Sequence, residues 1–200
     1  MINKSHGHFF DGMDLNNKVI VGLERISEVF KTMLWEKAKV HGISPIQIQT
    51  LLFIAHHKPA LCNVSHLAKE FNVTKPTISD VIRVLDKKGL VEKDHSSADS
   101  RSYSLFVSAI GKELIKELES YSLPLQQELS LFGESELASL YATVSKLIFQ
   151  LNRAGILSVQ RTCFGCKFYS KQDSTHYCQL LQTNLVDEEI RLDCAEYQKA

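Results

Sequence analysis

Asn72-Val73-Thr74-Lys75-Pro76-Thr77-Ile78-Ser79-Asp80-Val81-Ile82-Arg83-Val84-Leu85-Asp86-Lys87-Lys88-Gly89-Leu90-Val91-Glu92-Lys93 decides how this chain folds. Asn72 and Val73 make a turn. Thr74 is placed to cap a helix with its hydroxyl, and Pro76 is tolerated in the first turn, where the amides have no intrahelical acceptor. Ile78, Val81, Ile82 and Leu85 recur at three and four residues, so they form one buried stripe. Gly89 suits the left-handed position that ends a helix. Leu90 to Lys93 then begins an extended hairpin pattern.

The pattern extends outward in both directions. Asn63 caps a short helix carrying Leu67, Ala68 and Phe71, which makes a pair with the Thr74 helix. Ser44-Pro45-Ile46-Gln47 is a helix start with a capping box, followed by buried Ile48, Leu51, Leu52 and Ala55 and ended by Lys58-Pro59. From about 17 to 40, Val19, Ile20, Leu23, Ile26, Phe30, Met33 and Leu34 trace another helical stripe, stopped by His41-Gly42. Downstream, the polar turn His95 to Ser100 leads to a strand with Tyr103, Leu105 and Val107. Ser108 caps a helix through Leu114, Ile115, Leu118 and Tyr121, which Pro124 kinks or splits. A last helix over 134–153 carries Leu137, Leu140, Val144, Leu147 and Leu151, and Ala154-Gly155 ends it.

These parts predict a mainly α fold with a small β-wing, a winged helix-turn-helix. The stripes at 19–34 and 137–151 are too extensive for one small winged domain to cover, so the terminal helices are expected to form a homodimer. The organisation read from the sequence is a flexible leader over 1–16, the winged domain with its dimerisation helices over 17–154, and a cysteine-rich metal-binding tail over 155–200.

Lys and Arg together number 23 and so do Asp and Glu, so no global charge points to nucleic acid. Residues 41–110 hold eight Lys and Arg against six Asp and Glu, a mild local excess. On the Thr74 helix the outward residues are Lys75, Thr77, Ser79, Asp80 and Arg83, and Lys87, Lys88 and Lys93 continue the positive surface. Small hydroxyls with cations suit base edges and phosphates of double-stranded DNA. Asp80 departs from that pattern, since a carboxylate repels phosphate. No apolar run reaches the roughly 20 residues of a membrane span, and nothing signal-like opens the chain, so a cytoplasmic protein is expected.

Val73 to Ser79, Leu85 to Lys93, Asp99-Ser100-Arg101-Ser102 and Gly111 together resemble the MarR family of bacterial regulators, over about residues 17–153. The resemblance implies a two-fold dimer on a pseudo-palindromic operator, with each Thr74 helix in a major groove. It also implies that Arg101 at the wing enters the minor groove, with Asp99 orienting it. A small-molecule effector is a further expectation.

Four of the five cysteines lie in the tail, as Cys163-x2-Cys166-x11-Cys178-x15-Cys194. In a reducing cytosol such clustering argues for metal ligation or redox chemistry rather than structural disulfides. A Cys-x2-Cys turn aims two thiolates at one ion, Gly165 eases that turn, and two more thiolates complete either a zinc site or a [4Fe–4S] cage. The runs Cys-x-x-Cys-x-Phe, Tyr-Cys-Gln-Leu and Asp-Cys-Ala-Glu-Tyr are similar to the cluster-binding half of high-potential iron–sulfur proteins, which tips the choice towards iron–sulfur, with zinc as the alternative. His176 is a substitute ligand that fits the count less well than Cys178. His56-His57 reads as a capping or surface pair, and Cys62 as a small buried hydrophobe.

No phosphate loop, nucleophile elbow or acid–base pair is present, so the sequence reads as a non-enzyme, a DNA-binding transcriptional regulator. The rival reading is a redox or zinc-stapled interaction protein that uses the winged domain only as a scaffold.

Overall fold

A computed structural model describes residues 12–95, 103–173 and 175–200. Helix α1 runs Leu15–His41, with the Asp14 carboxylate accepting from the Asn17 amide at 2.8 Å. It thus starts inside the stretch that the sequence pattern assigns to the leader. Gly42, in the left-handed region at φ 59°, ends it, and the Ile43 amide bonds the Ala38 carbonyl. Helix α2 (Pro45–His56) starts as its caps predict, with the Ser44 amide donating to Gln47 Oε1 at 2.9 Å.

Helices α3 (Val64–Glu70) and α4 (Lys75–Lys87) are joined by a tight turn in which Asn72 has φ 51°, and strands β1 (Val91–Asp94) and β2 (Ser104–Val107) pair antiparallel with Val91 opposite Val107. Helix α5 spans Ala109–Leu118. Pro124 does split the next stretch: a 3₁₀ turn over Glu119–Ser122 leads into a short α6 (Leu123–Leu129), and α7 runs Glu134–Arg153.

The core lies under the helix pair. Ile48, Leu51, Leu67, Ile78, Ile82, Leu85, Leu105 and Leu118 are fully buried around it. Each predicted inward residue of α4 is among the buried set. The terminal helices behave differently. Along α1 only Met33, Leu34 and Ala38 are buried, while Val19, Ile20, Leu23 and Ile26 stand about half exposed. No helix among the described residues is long and apolar enough to cross a membrane.

The tail carries a small sheet of its own. Strands β3 (Tyr169–Gln172), β4 (Thr175–Cys178) and β5 (Thr183–Leu185) form an antiparallel sheet in that order. It packs on α7, where Tyr141 donates to the Ile190 carbonyl at 2.6 Å and Phe149 meets Phe164.

Candidate nucleic-acid interface and cysteine module

Helix α4 presents an open, hydroxyl-lined N-terminus. Thr74 accepts from the Thr77 amide, and the two hydroxyls lie 2.8 Å apart. Lys75, Thr77, Ser79, Asp80 and Arg83 are all exposed, so the stripe that buries Ile78 and Val81 turns them outward together. Arg83 donates to Asp80 Oδ1 at 2.7 Å, which settles where Asp80 points: it folds along the helix and partly neutralises Arg83. Lys87 and Lys88 are exposed at the far end. Lys93 is instead half-buried, donating to Asp86 at 2.6 Å above the Tyr103 ring, so it secures the strand to α4.

The hairpin is fixed at its base by a compact joint. Ser108 donates to the Gly89 carbonyl at 2.6 Å and accepts from the Gly111 amide at 3.0 Å. A Cβ on Gly111 would stand 2.2 Å from the Leu90 carbonyl oxygen, so only glycine allows α5 to lie this close to β1. Asp99 and Arg101 lie outside the described residues.

In the tail, Cys163–Gly165 forms a 3₁₀ turn, and the Cys166 amide returns to the Cys163 carbonyl at 2.9 Å. Gly165 does not adopt the left-handed region; its missing Cβ leaves room for the Gln160 amide, which a Cβ would meet at 2.1 Å. Cys178 ends β4, and Cys194 sits where its amide bonds the Arg161 carbonyl. The Arg191 amide donates to Cys163 Sγ at 3.3 Å and its guanidinium to Cys194 Sγ at 3.8 Å. Burial pushes the Cys163 thiol up, the Arg191 amide opposes this, and neighbouring Cys194, Cys178 and Cys166 push it further. A cavity of about 370 Å³ opens onto Cys163, Cys178 and Cys194. Among the described residues all five cysteines are free thiols, and no three His, Cys, Asp or Glu side chains stand in ligating geometry.

His176 is fully engaged: Tyr169 Oη lies 2.6 Å from Nδ1 and Asp187 Oδ1 lies 2.9 Å from Nε2. Cys62 is 1% exposed, shares its proton with the Lys58, His57 and Ile54 carbonyls, and is pushed up to about 11 by burial.

The winged-helix architecture recurs in known proteins. Residues 41–102 match the model of the MarR family. A MarR-like winged helix is therefore the fold. S. aureus MepR, solved as a DNA complex, is 25% identical, covers 64% of this chain and 95% of its own, and superposes with a TM-score of 0.57. Streptococcus pneumoniae FabT in complex with DNA is 19% identical, with 70% of this chain and 99% of that one covered and a TM-score of 0.58. S. aureus MarR in complex with salicylate and kanamycin is 18% identical over 70% of this chain and 93% of its own, with a TM-score of 0.61. No curated protein matches the chain.

The tail lies beyond the segment that matches the MarR family, and it is seated on the MarR-like core through one buried arginine. Arg161 donates to both Glu70 oxygens, at 2.8 and 3.1 Å, and to both Asp193 oxygens, at 2.5 and 2.9 Å. Its guanidinium lies over Phe53, on which the ring of His57 is stacked, 3.7 Å between centroids. His57 Nε2 meets Asp193 Oδ2 at 2.8 Å, so this histidine belongs to the seat rather than to a free surface. Hydrogen bonds from Arg161 hold the Asp193 carboxyl down at about 2, against the effect of its burial. Lys58 and Glu196 pair at 2.8 Å beside it. Nothing in the sequence announces this cluster, because its members stand far apart and each is unremarkable alone.

Proposed function

We propose that the chain is a DNA-binding transcriptional regulator that binds a pseudo-palindromic operator as a homodimer. The observation that carries this is the α4 face: a capped helix that buries Ile78, Val81, Ile82 and Leu85 and turns Lys75, Thr77, Ser79 and Arg83 outward as a set. The amides at its start and Lys75 address phosphates, while Thr77, Ser79 and Arg83 reach base edges in a major groove. Lys87 and Lys88 extend the cationic surface along the backbone, and Lys93 holds the wing. Arg101, oriented by Asp99, enters the flanking minor groove. The DNA complexes solved for MepR and FabT support this reading.

The half-exposed apolar row Val19, Ile20, Leu23 and Ile26 supports a second copy as its cover. A pocket of about 450 Å³ between α1 and α6, lined by Met33, Glu36, Lys37, Val40, Tyr121 and Leu123, is where we place a small-molecule effector.

Cys163, Cys166, Cys178 and Cys194 hold one metal centre in this reading, a [4Fe–4S] cluster ahead of zinc. The opening of Cys163, Cys178 and Cys194 onto one cavity and the amide donated to the Cys163 sulfur support it, since such N–H···S bonds favour thiolate, against the upward push of burial and of the neighbouring thiols. When bound, the centre supplies ordering energy to a segment with little core of its own.

The test is salt-dependent binding to a duplex selected by the wild-type protein from a random-sequence pool. Lys75→Ala is expected to weaken binding and flatten the slope of log K against log salt by about 0.9, one phosphate contact. Arg101→Ala weakens it without altering thermal stability. Wild-type binding by both variants would reject the interface.

A further inference from the structure

We infer that the state of the cysteine module is read by the helix pair of its own protomer, with Arg161 carrying it to Glu70 at the end of α3. This rests on the regulator reading above and names the route by which the tail acts on it.

The geometry supplies each link. Arg161 stands two residues before Cys163, and Asp193 immediately precedes Cys194. The two segments are bridged by their backbones, the Cys194 amide bonding the Arg161 carbonyl and the Cys163 amide bonding the Arg191 carbonyl. Whatever draws Cys163 and Cys194 together therefore fixes the spacing of Arg161 and Asp193. Those two side chains meet face to face, and the remaining guanidinium edge grips both oxygens of Glu70. The guanidinium is buried and lies on the Phe53 ring, so this grip has one geometry rather than many.

Glu70 is the last residue of α3, and the chain turns directly after it into the reading helix. The Val73 amide bonds the Ala68 carbonyl across that turn, and Asn72 holds its left-handed conformation there. A tether on Glu70 thus restrains the element that sets α4 against α3. If the tail comes loose, Arg161 leaves, and the largely buried Glu70 carboxylate loses its guanidinium partner, while His66, 3.5 Å away, is held towards its neutral form by burial. The exposed Lys58–Glu196 pair beside it is too weak to replace the grip.

A competing route exists, because the module also packs on α7 through Tyr141 and Phe149. The two routes differ in which amides respond. The experiment follows hydrogen exchange in the full chain, together with affinity for a duplex selected from a random pool, before and after metal removal with a chelator. Wild type, Arg161→Met and Glu70→Gln are compared. Metal removal is expected to speed exchange over residues 63–73 and to weaken DNA binding by about tenfold, within the ordinary range of coupling between two sites. Both variants are expected to show the faster exchange while still loaded, and to change little further on chelation. Glu70→Gln leaves Arg161 on Asp193, so it reports even if Arg161→Met folds poorly. Protein that binds no metal overturns the proposal, as does chelation that loosens the tail but leaves 63–73 unchanged. A chelation response in α7 that survives both substitutions also overturns it. If 63–73 responds as stated but no duplex is selected, the coupling stands and the regulator reading fails.

Discussion

Gly111→Ala tests whether the joint between wing and α5 is as tight as it stands. The added Cβ would lie 2.2 Å from the Leu90 carbonyl oxygen and 2.7 Å from Val107 Cγ1, against ordinary contacts of 3.4 Å and beyond. Neither neighbour can yield cheaply: one is backbone, and its carbonyl also accepts from the Ser108 amide at 3.1 Å. Overpacking of this kind costs about 1–3 kcal/mol. Alanine recovers up to about 1 kcal/mol through helix propensity, and less this close to the helix start. The net expectation is a loss of about 1–2 kcal/mol, or roughly 2–8 °C in Tm for a chain of this size. Gly22→Ala is the control. It lies within α1 with nothing inside 4 Å of its Cβ position, so it should gain about 0.5–1 kcal/mol. Scanning calorimetry on both variants decides the matter, and a Gly111→Ala protein as stable as wild type would refute the packing argument.

Three other outcomes are expected. Cys62, with its thiol near 11, should react with iodoacetamide at about pH 8 more than a hundredfold more slowly than an ordinary free cysteine, while denaturant restores it; rapid native labelling, read by mass spectrometry, would contradict the burial. His66 is held below its ordinary range, chiefly by burial, with Glu70 opposing. The folded chain therefore resists the proton that the unfolded chain accepts, and this contribution is full above about pH 6.5 and lost as pH falls through the folded value. His66→Gln should flatten the fall in denaturation midpoint between about pH 7 and 5, and an unchanged slope counts against it. Asp80→Asn should release Arg83 and tighten DNA binding about twofold to fivefold at low salt; weaker binding would mean that Asp80 accepts from a base instead.

Local chemistry makes much of the fold legible. Asn63, Thr74 and Ser108 each cap the helix that the sequence assigns to them, and the α4 stripe is buried residue for residue, because capping and periodicity act within a few residues. Pro124 splits its helix for the same local reason. The periodicity places the α1 start slightly late, since the polar run Asn16-Asn17-Lys18 separates Leu15 from the apolar stripe that begins at Val19. The role of Gly165 is not legible, because the space it leaves is taken by Gln160, a contact that φ preferences do not encode. Asp80 and Lys93 look alike in sequence as surface charges, yet each is tied to a partner on α4, Arg83 for Asp80 and Asp86 for Lys93. The Arg161 cluster is hidden altogether: it joins Phe53, His57, Glu70 and Asp193 across most of the chain, and each belongs to a different element or turn.

The most direct measurement is sequence selection from a random duplex pool by the full-length protein, with sequencing of the bound fraction. Two related half-sites should be enriched, with inverted symmetry and centres about 10–10.5 bp apart, or a multiple of that, as a two-fold pair of α4 helices requires. The enrichment should vanish for Lys75→Ala combined with Arg83→Ala. A pool that emerges without symmetric half-sites, or one unaffected by those two substitutions, would contradict the assignment of α4 as the reading helix.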